Sequence, residues 1–511
     1  MNLHSQPQPA GLGDEGQGES GRAQLLLPLP GVYEHAATSL TIPRADRVFA
    51  NRNLRMGTID WVGFDMDYTL AIYRQAAMDA LSIHLMAERL VARGYPEFLR
   101  ELKFDTAFPI RGLVVDTKFG NILKMDRHKL VSKGYHGTKV LSREETERLY
   151  LQRKVKAHTR RYHWIDTLFA LCEVTAYAAL VTALEERSVR FDPRKLFEDV
   201  RASIDLAHAD GSVYRSVLAN IEQYIERDPA LAATLHRLRS SGKRLFLLTN
   251  SPYHYTDTVM SYLLDQQDGQ YPKWRNYFDV VVCAAKKPAW FADGTELKVR
   301  VSGQERTAPA EQTHDGPLER GKVYEGGGLK DFERRLGIQG SRVLYVGDHI
   351  YGDILRSKKD STWRTAMIIQ ELDREVEALE KTALSRIRRR QLYEMHPLLE
   401  DELRYFAAQL KAAYRADPPQ ERQIGEAKDG LERRRAQLAD LEGEYDAVER
   451  EIDQAFHPYF GSLLKELNGL SIFGQQVDLY ADVYMRRVSC LGEYSPTQFF
   501  RSPHDLMPHE I

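Results

Sequence analysis

Five short runs of apolar and β-branched residues punctuate the chain: Ile59 to Phe64, Leu245 to Leu248, Val280 to Val282, Val343 to Val346 and Ala366 to Ile369. Each ends in polar residues and is followed by a helical pattern. Short runs that are apolar throughout, rather than alternating, read as parallel strands covered on both faces. They predict an α/β fold. In open sheets of this kind ligands bind beyond the carboxyl ends of the strands, which singles out Asp65, Thr249, Lys286-Lys287 and Gly347-Asp348.

Between the first and second runs lie about 180 residues, far more than a simple crossover needs, so an inserted domain is expected there. Within it the pattern predicts helices around Met78 to Arg93 and Tyr162 to Glu186, and a hairpin region from Gly112 to Val131. Residues 41–75 and 231–370 are assigned to the core and 76–230 to a cap over the strand ends. From 371 to 511 the chain turns to long charged helical segments, broken at Asp417-Pro418-Pro419, with a tail expected to return to the core. Leu431, Leu438, Leu441, Tyr445, Val448 and Ile452 follow heptad spacing within 431–456, which suits either an amphipathic helix packed on its own subunit or an intermolecular coiled coil. Residues 1–40 are read as a leader, disordered over its Gly-, Gln-, Pro- and Ser-rich first part.

Composition narrows the function classes. The chain has 511 residues, 43% of them apolar, and a formal net charge of −2, enough to bury a large core and without the basic footprint of a nucleic-acid binder. Its three cysteines, Cys172, Cys283 and Cys490, are far apart in sequence and form no metal-ligand or redox pair. Leu25-Leu26-Leu27 is too short for a signal core or a span. A cytoplasmic location without membrane or nucleic-acid partners is the expectation.

The strand-end residues carry the chemistry. Asp65 and Asp67 follow a buried strand two residues apart, so one carboxylate can attack while the other moves a proton. The Thr249-Asn250-Ser251 turn offers a hydroxyl and backbone N–H groups to a phosphate. Lys287, next to Pro288, supplies a point charge for the nucleophile and the phosphate. In Val346-Gly347-Asp348-His349-Ile350-Tyr351-Gly352-Asp353, Asp348 suits direct ligation of Mg²⁺, which needs only one or two carboxylates beside a phosphate oxygen. Asp353 either ligates through water, orients Lys287 or is structural, and His349 is read as a structural hydrogen-bonding group.

The ordered set Asp-x-Asp-x-Thr, Thr-Asn-Ser, Lys-Pro and Gly-Asp-x₄-Asp resembles the four motifs of haloacid dehalogenase phosphatases. Phe64 to Ala71, Arg111 to Thr117, Gly347 to Leu355 and the ending Leu506-Met507-Pro508-His509-Glu510 are similar to the cytosolic purine 5′-nucleotidases. The resemblance implies a Rossmannoid parallel sheet with an inserted cap and a helical C-terminal extension. It also implies Mg²⁺-dependent hydrolysis of purine nucleoside 5′-monophosphates, IMP and GMP preferred, with phosphate transfer to an acceptor nucleoside as a second outcome.

Asp65 would then form an aspartyl-phosphate, while Asp67 protonates the leaving O5′ and activates water. Asp65, the Asp67 backbone carbonyl and Asp348 would hold Mg²⁺, and Thr249, Asn250 and Lys287 the phosphoryl group. Tyr135, after Gly134, falls where the family stacks an aromatic ring on the base, and His136 stands where the family has an amide. A homo-oligomer is a further expectation. Two other readings stay open at this point: a phosphatase of another small phosphomonoester, and a non-catalytic interaction protein.

Overall fold

The computed structural model describes residues 42–151, 155, 159–267, 270–301, 303–466 and 469–503. The leader and the Leu506 to Glu510 ending lie outside them. Trp61–Phe64 is buried at every position because it lies in the middle of a ten-stranded sheet. Val343–Gly347 pairs with it on one side and Arg244–Leu248 on the other, both parallel, with Val62 opposite Leu344 and Leu245. Phe246 reaches across this region so closely that a Cβ on Gly63 would fall 2.0 Å from its ring. Glycine is therefore a packing requirement two residues before Asp65.

Outward from Arg244–Leu248 the sheet continues through Val280–Cys283 and Val323–Gly326, then the antiparallel Leu297–Val299 and Gln312–Thr313. In the other direction it runs through Arg364–Ile368 and Val483–Met485 to the antiparallel edge Phe49–Ala50. The chain thus builds one half of the sheet before crossing to the other side of Trp61–Phe64. That reversal opens a crevice at the carboxyl end of this strand.

The chain leaves the core after Ile72–Tyr73 and returns at Ile225–Glu226, and these two short strands pair antiparallel. The insertion contains the helix Gln75–Ala92 and a five-stranded antiparallel sheet ordered Lys139–Val140, Val131–His136, Asn121–Met125, Leu113–Asp116, Tyr162–Ile165. Three helices, Leu171–Glu186, Pro193–Ala209 and Ser212–Ala219, complete it. Tyr162–Ile165, expected to be helical, is a strand paired with Leu113–Asp116. Its aromatic and β-branched side chains favour the pleat, and helix starts only after Thr167, whose hydroxyl accepts from the Phe169 N–H. Leu168–Glu186 is long and apolar enough to cross a membrane, but 78% of that window is buried inside the fold, where it forms the cap core.

Two C-terminal helices, Ala383–Arg415 and Glu421–Phe456, lie antiparallel as an arm. Arg388 binds Glu444, Glu402 meets Arg434, and a Cβ on Gly430 would strike the Phe406 ring. Leu431, Leu441 and Ile452 are buried. The heptad stripe is thus packed within the chain.

Candidate active site

Asp65 leaves its strand with the backbone N–H still donating to Val346 O at 2.9 Å. Its Oδ1 accepts from the Met66 N–H at 2.7 Å and lies 2.9 Å from Lys287 Nζ. The same ammonium donates to Asp353 Oδ1 at 2.7 Å and to the Tyr345 hydroxyl at 2.9 Å. All of its polar reach is spent in a buried pocket. Burial alone would depress the Lys287 pKa, but Asp353 and Asp65 outweigh it and raise it. Burial pushes Asp65 well up, opposed by Lys287 and reinforced by Asp353, Asp67 and Asp348.

Asp67 stands in different surroundings. Tyr73 donates to its Oδ1 and Ser251 to its Oδ2, each at 2.6 Å, and the Tyr73 hydroxyl lies 2.8 Å from that of Tyr255. Burial raises its pKa against these two hydrogen bonds. Two carboxylates two residues apart are thus separated in role by their partners, one facing a cation and the other neutral hydroxyls.

The Thr249 hydroxyl accepts from the Ser251 N–H at 3.1 Å. Asn250 accepts from the Lys287 N–H at 2.6 Å and donates to Lys287 O at 3.0 Å, so its amide clamps the lysine's own backbone. Tyr68, Ala284 and Lys286 are three of the six non-glycine residues with positive φ among the described residues. Strain of this kind gathers where a loop must aim side chains at a site.

Gly347 has no room for a Cβ, which would fall 2.5 Å from that of Asp353. Its absence brings Asp353 under Asp348. Oxygens of Asp65, Asp348 and Asp353 lie within 4.8 Å of one another. Asp348 Oδ2 is buried without a hydrogen-bond partner, and burial followed by the charge of Asp353 pushes this carboxyl up to about 7. An unsatisfied carboxylate oxygen in an oxygen-only cluster with excess negative charge fits a hard divalent cation.

Several groups of the site carry no role in the sequence motifs. Ser251 belongs to the quoted turn, where only its neighbours had been given roles. A tyrosine inside an apolar strand must find a partner for its hydroxyl, and that was the available signal for Tyr345. Arg111 opens the stretch Arg111 to Thr117 that carries the family likeness, with no role assigned to it there: its guanidinium is buried, donates to Asp348 O at 2.9 Å and grips both oxygens of Glu371. Tyr135 sits in an aromatic group with Phe108, Tyr459 and Phe460, its hydroxyl donating to Tyr459 O. His136 lies between Asn121 and Glu185, 2.8 Å from each.

A cavity of about 730 Å³ opens in the cap, lined by Thr117, His163, Arg194, Phe197, Arg201 and Asp205 among others. Two of its residues are linked electrostatically to the core chemistry. His163 interacts with Asp166, whose Oδ1 lies 3.4 Å from Nε2 of His349, the neighbour of Asp348. On the other side, the His208 imidazole is depressed by burial, while the charges of Asp205 and Asp67 oppose that shift.

The central strand, the insertion after it and the four strand-end elements define a haloacid dehalogenase-like α/β enzyme of the phosphoric monoester hydrolase class. The model of the 5′ nucleotidase family matches residues 48–511. A 5′-nucleotidase domain-containing protein of Dictyostelium discoideum is 31% identical over 472 residues, covering 91% of this chain and 75% of that one. The chain belongs to the 5′-nucleotidase family. Among solved structures, CbbY of Rhodobacter sphaeroides in complex with phosphate matches 61% of this chain and 86% of its own, at 15% identity and a TM-score of 0.23. An L-2-haloacid dehalogenase of Xanthobacter autotrophicus matches 61% and 78%, at 12% identity and a TM-score of 0.20. At such values the observed strand order, not the likeness, carries the fold class.

Proposed function

We propose that this protein hydrolyses purine nucleoside 5′-monophosphates, IMP and GMP in preference, through an aspartyl-phosphate. The observation that carries the reading is the division between Asp65, set against Lys287, and Asp67, held by two hydroxyls. An Asp65 oxygen attacks phosphorus, the bond from phosphorus to O5′ breaks, and the Asp67 carboxyl gives its proton to the departing O5′. The resulting Asp67 carboxylate takes a proton from water as that water attacks phosphorus, and cleavage from Asp65 releases phosphate. A nucleoside hydroxyl in place of water gives phosphotransfer.

The Thr249 turn holds the phosphoryl oxygens, Lys287 attracts them through its charge while bound to Asp65 and Asp353, and Asn250 acts by fixing Lys287. Asp65, the Asp67 backbone carbonyl and Asp348 are the proposed Mg²⁺ ligands, with Asp353 behind them; the bound ion would neutralise phosphate charge. The base is assigned to the cap, where Tyr135 and His136 are proposed contacts and the cavity bearing Arg201 and Asp205 offers complementary donors and acceptors. The free, buried Cys172, Cys283 and Cys490 fit a reducing, cytoplasmic setting.

Phosphate release from IMP and GMP, with ribose 5-phosphate as the baseless control and Mg²⁺ added or chelated, tests the proposal. Asp65→Asn should lower turnover about 10⁴-fold or more. Activity surviving in that variant would remove Asp65 as the nucleophile, and equal activity on ribose 5-phosphate would remove the nucleotide assignment.

A further inference from the structure

Arg111 belongs to the insertion, just before the strand Leu113–Asp116, yet its guanidinium binds the core and the segment that returns from the arm. The side chain is fully buried. Nε and Nη2 donate to the two oxygens of Glu371 at 2.8 and 2.6 Å, and Nη1 donates to Asp348 O at 2.9 Å. The guanidinium carbon lies 4.9 Å from the centre of the Phe473 ring. The neighbouring backbone needs the same closeness, since Gly112 has a φ of +85° and a Cβ there would fall 2.6 Å from that of Phe473. Phe473 in turn packs in one apolar cluster with Ile350 and Ile354, which follow Asp348 in the acidic turn. One planar cation thus joins the cap, the acidic turn and the returning chain.

Stability alone does not account for such a group, because a buried ion pair contributes little beyond apolar packing of the same volume. Its position has a more specific consequence. Asp348 Oδ2 has no hydrogen-bond partner, so nothing on that oxygen aims the carboxylate at the cluster it shares with Asp65 and Asp353. The aim has to come from the backbone, and Arg111 grips the carbonyl bonded to the Cα that carries this side chain. A rigid fork can hold Glu371 by two bonds and still direct a third N–H at the carbonyl, which a lysine ammonium does not reproduce. From this geometry we infer that Arg111 is a positioning residue for the cation site: anchored by Glu371, it fixes the Asp348 backbone from the cap and so sets the affinity for Mg²⁺. The inference rests on the proposed role of Asp348 as a Mg²⁺ ligand. Partners that orient a metal ligand in this way contribute about 10–100-fold in affinity.

Calorimetric titration of the metal-free full chain with Mg²⁺, without nucleotide, reads that affinity directly. Arg111→Met should raise the Mg²⁺ Kd more than about tenfold. Arg111→Lys keeps the charge but not the fork, and should stay within about threefold of Arg111→Met. Glu371→Gln keeps Arg111 and loosens its anchor, so it should raise Kd about threefold. Because Glu371 acts through Arg111, adding Glu371→Gln to Arg111→Met should change nothing further. In phosphate release from IMP, the loss in Arg111→Met should appear as a higher Mg²⁺ requirement, with kcat recovering at saturating Mg²⁺. A mere staple between cap and core would lower the melting temperature and leave the Mg²⁺ Kd alone. A parental Kd in folded Arg111→Met or Arg111→Lys, or in Glu371→Gln should the arginine variants fail to fold, would overturn the inference. Asp348→Asn separates this from the reading beneath it: a parent that binds no Mg²⁺, or unchanged binding in Asp348→Asn, would strike the metal assignment itself.

Discussion

The catalytic pocket and the cap cavity both bury ionisable groups, and they satisfy them differently. In the pocket Lys287 reaches Asp65, Asp353 and Tyr345 within 3 Å, while Asp67 is held by Tyr73 and Ser251. The exceptions are Asp348 Oδ2, where a cation fits, and the Thr69 hydroxyl. In the cap Arg201 lies 3.3 Å from Glu173, yet Arg201 Nε and Glu173 Oε2 each lack a hydrogen bond, as does Asp79 Oδ2. A fully partnered network is pre-organised for the charge that develops in the reaction. Of these three Arg201 lines the cavity, and its unsatisfied Nε leaves capacity for a ligand to complete.

The sharpest way to break this contrast is to remove the hub of the pocket. Lys287→Met leaves Asp65 and Asp353 facing each other without their shared cation. It should abolish turnover and lower stability by about 3–5 kcal/mol, the cost of stripping one partner from a buried ion pair. Urea unfolding beside a phosphate-release assay measures both. A variant as stable as the parent would show that the pocket is not held together through Lys287.

Asp67→Asn comes next. It keeps a polar group between Tyr73 and Ser251 but removes the proton, so turnover should fall about 10²–10⁴-fold while inhibition by inorganic phosphate persists. Equal loss of turnover and phosphate affinity would assign Asp67 to binding instead. Arg201→Ala probes the other side of the comparison. It should lower kcat/KM for IMP about 10–100-fold and leave ribose 5-phosphate hydrolysis unchanged. Parallel losses on both substrates would dissolve the distinction between a catalytic core and a discriminating cap. Tyr135→Ala in the same assay separates the stacking position from the cavity.

This division also explains what could be read from sequence. The pocket was legible because each of its main residues follows a parallel strand, and a strand end is both a sequence pattern and a place in space. Asp65, Thr249, Lys287 and Asp348 converge for that reason. The cap cavity draws Thr117, His163 and Arg201 from a turn, a strand and a helix whose meeting depends on the packing of the insertion. No periodicity brings them together. Tyr162–Ile165 is strand where the pattern predicts helix for a related reason: four residues before a long apolar helix carry little information until their pairing with Leu113–Asp116 is known. The strands Val323–Gly326 and Val483–Met485 went unnamed as well. The second of these takes its place in the sheet only because the chain comes back from the arm.

The smallest expected effect tests whether the cap's incomplete pairing has an energetic consequence. Burial raises the Glu173 carboxyl from its ordinary 4.5 to about 7, with Arg201 opposing the shift. The folded chain therefore binds this proton more tightly than the unfolded chain does. Stability from that difference is fully present below pH 4.5 and is lost as the pH rises towards 7, where the folded group also ionises. Glu173→Gln has no such proton to lose, so its stability relative to the parent should rise between pH 5 and pH 8 by about 1–3 kcal/mol. Urea midpoints at a series of pH values measure it, and a constant difference would mean that Arg201 already satisfies the carboxylate. Asp79, pushed up to about 7 by burial, titrates in the same range but is unaffected by this substitution. In an Arg201→Ala background the opposition to the shift disappears, and the pH-dependent gain from Glu173→Gln should grow. That double substitution separates an open polar cavity from a closed ion pair: a gain unchanged by the loss of Arg201 would show that the two groups do not interact.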